Sequence, residues 1–123
     1  MHGRANVKDP SEFAGPASFE TALGYSKFIG VNLDLGHYTA AGFDAVAFIE
    51  KHHDRILSIH LKDRQRNQGP SMAFGKGDTP IRECLQLLKR NRWKIPAHIE
   101  YDRGGDRVAE FKKAFEFCKQ ALA

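Results

Sequence analysis

Arg55-Ile56-Leu57-Ser58-Ile59-His60-Leu61-Lys62 reads as a β-strand with two unlike faces. Side chains alternate along a strand, so Ser58, His60 and Lys62 share one side while Leu57, Ile59 and Leu61 share the other. A parallel strand buried on both faces reads instead as a continuous apolar run. The pattern recurs twice. Phe28 to Leu35 sets Asn32 and Asp34 against Val31 and Leu33, and Lys94 to Tyr101 sets His98 and Glu100 against Ala97 and Ile99.

Helical spacing fills the intervals. Residues 1–16 read as the tail of a strand and a loop, and Pro16 to Ser26 then carries Phe19, Ala22 and Leu23 on one side. From Phe43, the residues Val46, Ala47 and Ile49 repeat at helical spacing, with Asp44 placed to favour the helix N-terminus and His52 and His53 expected to face solvent in the last turn. A Gly-rich loop from Asp63 to Asp78 leads to Thr79 as an N-cap and Pro80 as the first helical residue. Ile81, Leu85 and Leu88 then mark a buried face ending near Asn91. Gly104-Gly105 breaks the last strand, and Val108, Phe111, Phe115, Cys118 and Leu122 trace an amphipathic closing helix. Strands alternating with helices imply right-handed βαβ units and a parallel sheet, hence an α/β layer or a barrel segment.

The 123 residues form one expected domain, 1–123, which is too short for a complete (β/α)8 barrel of typically ~250 residues. No apolar stretch approaches a membrane span and no basic-then-apolar leader opens the chain, so a cytoplasmic protein is the expectation. Cys84 and Cys118 occupy apolar helical positions, and their spacing fits no zinc motif, so two buried thiols are expected. The net charge of +4 raises the question of an anionic partner. The basic residues are scattered among acids rather than gathered into a track, so no nucleic acid is expected.

On all three strands the polar residues become more ionisable toward the C-terminal end, where α/β barrels and open sheets place their active sites. Asp34, His60 and Glu100 should therefore converge. Two carboxylates and an imidazole suit a hard or borderline divalent cation, whereas a hydrogen-bonded polar cluster without metal is the plainer reading of any one of them. Three strands repeating the pattern at one edge favour the cation.

Four motifs occur in order: Asn32-Leu33-Asp34-Leu35-Gly36-His37, His60-Leu61-Lys62-Asp63, Phe74-Gly75-Lys76-Gly77-Asp78 and Ile99-Glu100-Tyr101. Together they resemble the xylose-isomerase-like sugar phosphate isomerase/epimerase family over nearly the whole chain. The resemblance implies a partial (β/α)8 TIM barrel, its C-terminal half from about the fifth to the eighth strand. It also implies Asp34, His60 and Glu100 as ligands of a divalent metal ion (Mn2+, Mg2+, Co2+ or Zn2+), with Glu100 doubling as catalytic base. His37 is implied as a catalytic and substrate-binding residue, and Lys62 and Arg66 as substrate-binding residues. The family's further ligand, from the fifth strand, falls at the extreme N-terminus, where His2 is the nearest substitute. Either His2 completes a set of two imidazoles and two carboxylates, or the cation keeps three protein ligands and more water. The second, opposed carboxylate base that would ease epimerisation is missing.

The implied reaction is isomerisation or epimerisation of a sugar, sugar phosphate or polyol through an enediolate. Three explanations of the half-length are open: a truncated reading frame, ranked first because Met1 falls inside an interior strand, a complementing N-terminal half-barrel, or a homodimer of half-barrels. A non-catalytic metal- or ligand-binding barrel remnant is an alternative function. An apurinic-site endonuclease-like phosphodiesterase is a weaker one, because residues 63–77 contain no histidine to build a multi-zinc site.

Overall fold

A computed structural model describes residues 13–123. The elements run α1 (Pro16–Tyr25), β1 (Val31–Asp34), α2 (Leu35–Ala40), α3 (Ala45–His52), β2 (Ile56–Leu61), β3 (Asp63–Arg64), β4 (Ser71–Met72), α4 (Ile81–Asn91), β5 (Ala97–Ile99) and α5 (Arg107–Leu122). Strands β1, β2 and β5 form one parallel sheet in that order, as the alternation of strands and helices requires. The register sets Asp34 beside His60 and His60 beside His98, so the polar faces of three strands line up.

The apolar faces meet the helices. Val31, Leu33, Ile59 and Leu61 are buried beneath Phe19, Tyr38, Phe48, Ile49, Leu85 and Leu88. Phe19, Tyr38 and Phe48 form an aromatic cluster with ring centroids 5.2–6.1 Å apart, which joins α1, α2 and α3. Cys84 and Cys118 are buried free thiols, as their helical positions foretell.

Several boundaries differ from the sequence expectation, each for a local reason. The first strand ends at Asp34 because the chain turns there into α2, with Asp34 Oδ1 accepting from the His37 backbone N–H at 2.8 Å. The Gly-rich loop contains the antiparallel pair β3–β4, whose two-residue strands are too short to show alternation. Thr79 does not cap α4. Pro80 takes the cap position, and the buried Thr79 hydroxyl instead accepts from the Arg64 N–H at 3.0 Å. Strand β5 pairs only with β2 among the described residues, and its regular part shrinks to three residues. The closing helix α5 has its cap in Asp106, which accepts from Ala109 N–H at 3.1 Å.

The buried line of α5 is Ala114, Cys118 and Ala121, rather than the whole expected stripe. Val108, Phe111, Phe115 and Leu122 are exposed, because α4 and the sheet cover only one flank of the apolar band. The two helix-end histidines also have partners: His52 Nε2 lies 3.0 Å from Glu20, and His53 stacks on Trp93 at 3.8 Å.

Candidate metal centre

The C-terminal ends of the three parallel strands bring Asp34, His60 and Glu100 together, with one ligand atom of each inside a mutual distance of 4.8 Å. Asp34 is buried, while His60 and Glu100 are half-buried on the open side of the sheet. Two carboxylate oxygens and an imidazole nitrogen at this spacing match the donor set of a divalent cation, so the residues fit the metal that the sequence implies. Among the described residues this is the one group of three or more such side chains.

The same donors are engaged with one another. His60 Nδ1 lies 2.8 Å from Glu100 Oε2, and Asn32 Nδ2 lies 3.4 Å from His60 Nε2. Asn32 is itself held by Ser58, whose hydroxyl donates to Asn32 Oδ1 at 2.8 Å. The polar face of β1 and β2 thus orients the imidazole.

Lys62 is buried and sits at the centre of the acids, 2.6 Å from Glu100 Oε1, 3.1 Å from Asp102 Oδ2 and 3.9 Å from Asp34 Oδ2. Burial alone would lower its pKa, but hydrogen bonds and charge attraction from these carboxylates raise it above the ordinary lysine value. Burial likewise pushes Glu100 upward, and the Lys62 ammonium and His60 together outweigh it, leaving the carboxyl below the usual range. Glu100 is therefore ionised at neutral pH. Gly36 makes room for this packing: a Cβ there would stand 2.7 Å from the Lys62 carbonyl oxygen.

His37 lies at the rim of the cluster. Its Nδ1 accepts from Arg64 Nη1 at 2.7 Å, and its Nε2 is 3.7 Å from Asp34 Oδ2 and 3.4 Å from Lys62 Nζ. Guanidinium and ammonium both only donate, so the neutral ring can accept from Arg64 through Nδ1 or from Lys62 through Nε2, and the shorter 2.7 Å contact favours Nδ1 and leaves the proton on Nε2. Arg64 is locked in turn by Nε and Nη2 bonds to the Gly69 carbonyl at 3.0 and 2.8 Å.

Of the residues proposed from sequence, Asp34, His60, Glu100, Lys62 and His37 thus share one cluster. Arg66 is exposed, and its backbone N–H is anchored to Asp78 Oδ2 at 2.8 Å. The arginine that touches the cluster is Arg64. His2 lies outside the described residues. Two participants escaped the sequence reading, Arg64 and Asp102. Asp102 lies beyond the expected strand Lys94 to Tyr101, where alternation no longer assigns a face. His98, which alternation sets on the polar face with Glu100, is exposed and meets His60 edge-on at 6.3 Å.

Residues 11–121 match the family described as xylose isomerase-like TIM barrel. The chain belongs to that family. Among solved structures, this xylose isomerase-like chain is similar to a xylose isomerase domain protein from Planctomyces limnophilus. The identity is 25% and the TM-score 0.62, over 75% of this chain and 37% of that one. A D-tagatose 3-epimerase-like protein is 25% identical with a TM-score of 0.58, over 85% of this chain and 43% of that one. A sugar phosphate isomerase/epimerase from Parabacteroides distasonis shares the fold at 20% identity and a TM-score of 0.65, over 83% and 36% of the two chains. The chain thus spans well under half the length of these relatives. No functionally curated protein matches it. Its three-stranded parallel sheet with flanking helices is part of the family's barrel, and no described helix is long and apolar enough to cross a membrane.

Proposed function

We propose that this chain carries the metal-binding and proton-transfer groups of a divalent-metal-dependent sugar isomerase or epimerase. The observation that supports this reading most is the convergence of Asp34, His60 and Glu100 within 4.8 Å at the strand ends. These three residues would hold the cation, which when bound supplies Lewis acidity toward a sugar's carbonyl and neighbouring hydroxyl oxygens.

The chain's own groups do the rest. The ionised Glu100 carboxylate takes the proton from the carbon beside the carbonyl, and the C–H electron pair becomes the C=C bond of an enediolate. Return of that proton to the adjacent carbon, with the hydroxyl proton passing to the former carbonyl oxygen, gives the isomer. Return to the opposite face of the same carbon gives the epimer and needs a second acid. In this reading His37 hydrogen-bonds a substrate oxygen and the Lys62 ammonium offsets negative charge on the enediolate. Arg66 would join them only if its loop brought the side chain inward.

A multi-zinc phosphodiesterase finds less support, because the described residues gather a single cluster of potential ligands. The test is metal content and thermal shift with Mn2+, Mg2+, Co2+ and Zn2+. A ligand that binds the native state raises its stability by linkage, by about 2.7 kcal/mol at a hundredfold excess over Kd. The expected result is a shift in the parent chain that Glu100→Gln and His60→Ala both abolish. An unchanged shift in both variants would sink the assignment. Binding without turnover of any sugar in a panel would leave a non-catalytic cation-binding unit.

A further inference from the structure

A hollow of about 460 Å3 is bordered by the loop after β4, the turn after β5 and the first turns of α5. Lys76, Arg103 and Lys113 line it together with Tyr101. Glu110 is the one acid of the lining, and it is paired with Lys113 at 3.0 Å. The lining therefore keeps an excess of two positive charges.

The walls are braced. Asp63 Oδ2 accepts from the N–H groups of Gly75 and Gly77, on either side of Lys76, at 2.8 and 3.0 Å. Phe74 packs edge-on against Phe117 of α5 at 6.0 Å, so the loop bearing Lys76 is docked on the helix that bears Lys113. Across the hollow the Tyr101 hydroxyl donates to the Gly104 carbonyl at 2.9 Å and closes the turn that carries Arg103. Three cations on three separately anchored segments thus face one space. Two charges in excess match a dianion, and a phosphate monoester is close to dianionic at neutral pH and accepts hydrogen bonds on three oxygens.

We propose that this hollow binds a phosphoryl group through Lys76, Arg103 and Lys113. Glu100 of the metal centre and Tyr101 of the hollow's lining are adjacent in the chain. If the proposed function holds, the subsite narrows the substrate to a phosphorylated sugar, and only that extension rests on the isomerase reading.

Calorimetry on the full chain with inorganic phosphate, a hexose phosphate and the same hexose unphosphorylated tests it. The doubly substituted K76Q/R103Q chain is compared with a control, K27Q/R90Q, that removes the same charge at exposed sites elsewhere. The expected result is binding of a phosphorylated ligand that K76Q/R103Q weakens at least tenfold and the control leaves within twofold. A hexose phosphate at least tenfold tighter than both phosphate and free hexose identifies a substrate subsite, whereas equal binding of phosphate and hexose phosphate identifies a site for the free anion. No binding of either, or equal losses in both double variants, overturns the proposal. The metal-dependent thermal shift, measured alongside, separates the two readings: it should survive in K76Q/R103Q, while Glu100→Gln should lose it and keep phosphate binding.

Discussion

At the scale of single residues, Asp63 shows how a motif can be visible and its work invisible. It closes the His60-Leu61-Lys62-Asp63 run, yet its carboxylate is turned from the metal centre and accepts from the backbone N–H groups of Gly75, Gly77 and Thr79 at 2.8, 3.0 and 3.2 Å. The residue is only 1% exposed, so water cannot replace those bonds. Hydrogen bonds to a charged group contribute about 1.5–3 kcal/mol each and are not additive, and buried N–H groups left without an acceptor add their own cost. Asp63→Ala should therefore destabilise the chain by roughly 3–5 kcal/mol in urea unfolding, with Asp63→Asn losing less because one amide oxygen still accepts. A loss below ~1 kcal/mol for the alanine variant would mean that the loop does not depend on this carboxylate. The partners lie 12 to 16 residues downstream, and no local pattern announces them. Asp34, His60 and Glu100 were legible for the opposite reason, since each stands within one residue of the end of a strand whose alternation assigns its face. Arg64 was not, because its contact with His37 depends on how the β3–β4 pair folds over α2.

At the scale of elements, periodicity carried the reading where the elements are long and failed where they are short. The spacing of Ile81, Leu85 and Leu88 found the buried face of α4, and Cys84 falls on it. The β3–β4 pair went unseen because two-residue strands have no period. Burial of the two thiols between α4, α5 and the sheet has a measurable consequence. Desolvation pushes Cys84 up to about 12 and Cys118 up to about 11, so neither is a thiolate at neutral pH. The unfolded chain ionises both near the ordinary thiol value, so it binds fewer protons than the folded chain from about pH 9 upward. Stability should therefore fall as pH rises from about 9 toward 11 and 12, and a Cys84→Ala/Cys118→Ala chain should show a flatter decline. Both thiols should react slowly with a maleimide at pH 8 unless denaturant is present. Fast labelling of the native chain would show that α4 and α5 open readily.

At the scale of the whole molecule, the sheet is open among the described residues. Strand β5 pairs on one side only among the described residues, and the flank of α5 beyond it exposes Val108, Phe111 and Phe115 at 66, 47 and 51%. Barrels of this family close such edges with further strands, and the solved relatives are more than twice as long. Open parallel edges and exposed aromatics on the same side invite association, since each buried phenyl ring contributes roughly 1.5–3 kcal/mol. A second copy or an N-terminal half-barrel would supply the cover. The 123-residue chain by itself should sediment as a dimer or larger species rather than at the mass of its 13.8 kDa monomer. Phe111→Glu/Phe115→Glu should shift it toward the monomer, because burying two carboxylates in an apolar contact costs far more than the contact returns. The same substitutions should leave the thermal shift with Mn2+ unchanged if the metal centre is complete within one chain. A shift that disappears together with the association would instead assign part of the cation's coordination to the partner. A parent chain that stays monomeric at high concentration would refute the argument from the open edge, and the phenylalanines would then be surface residues that the fold tolerates.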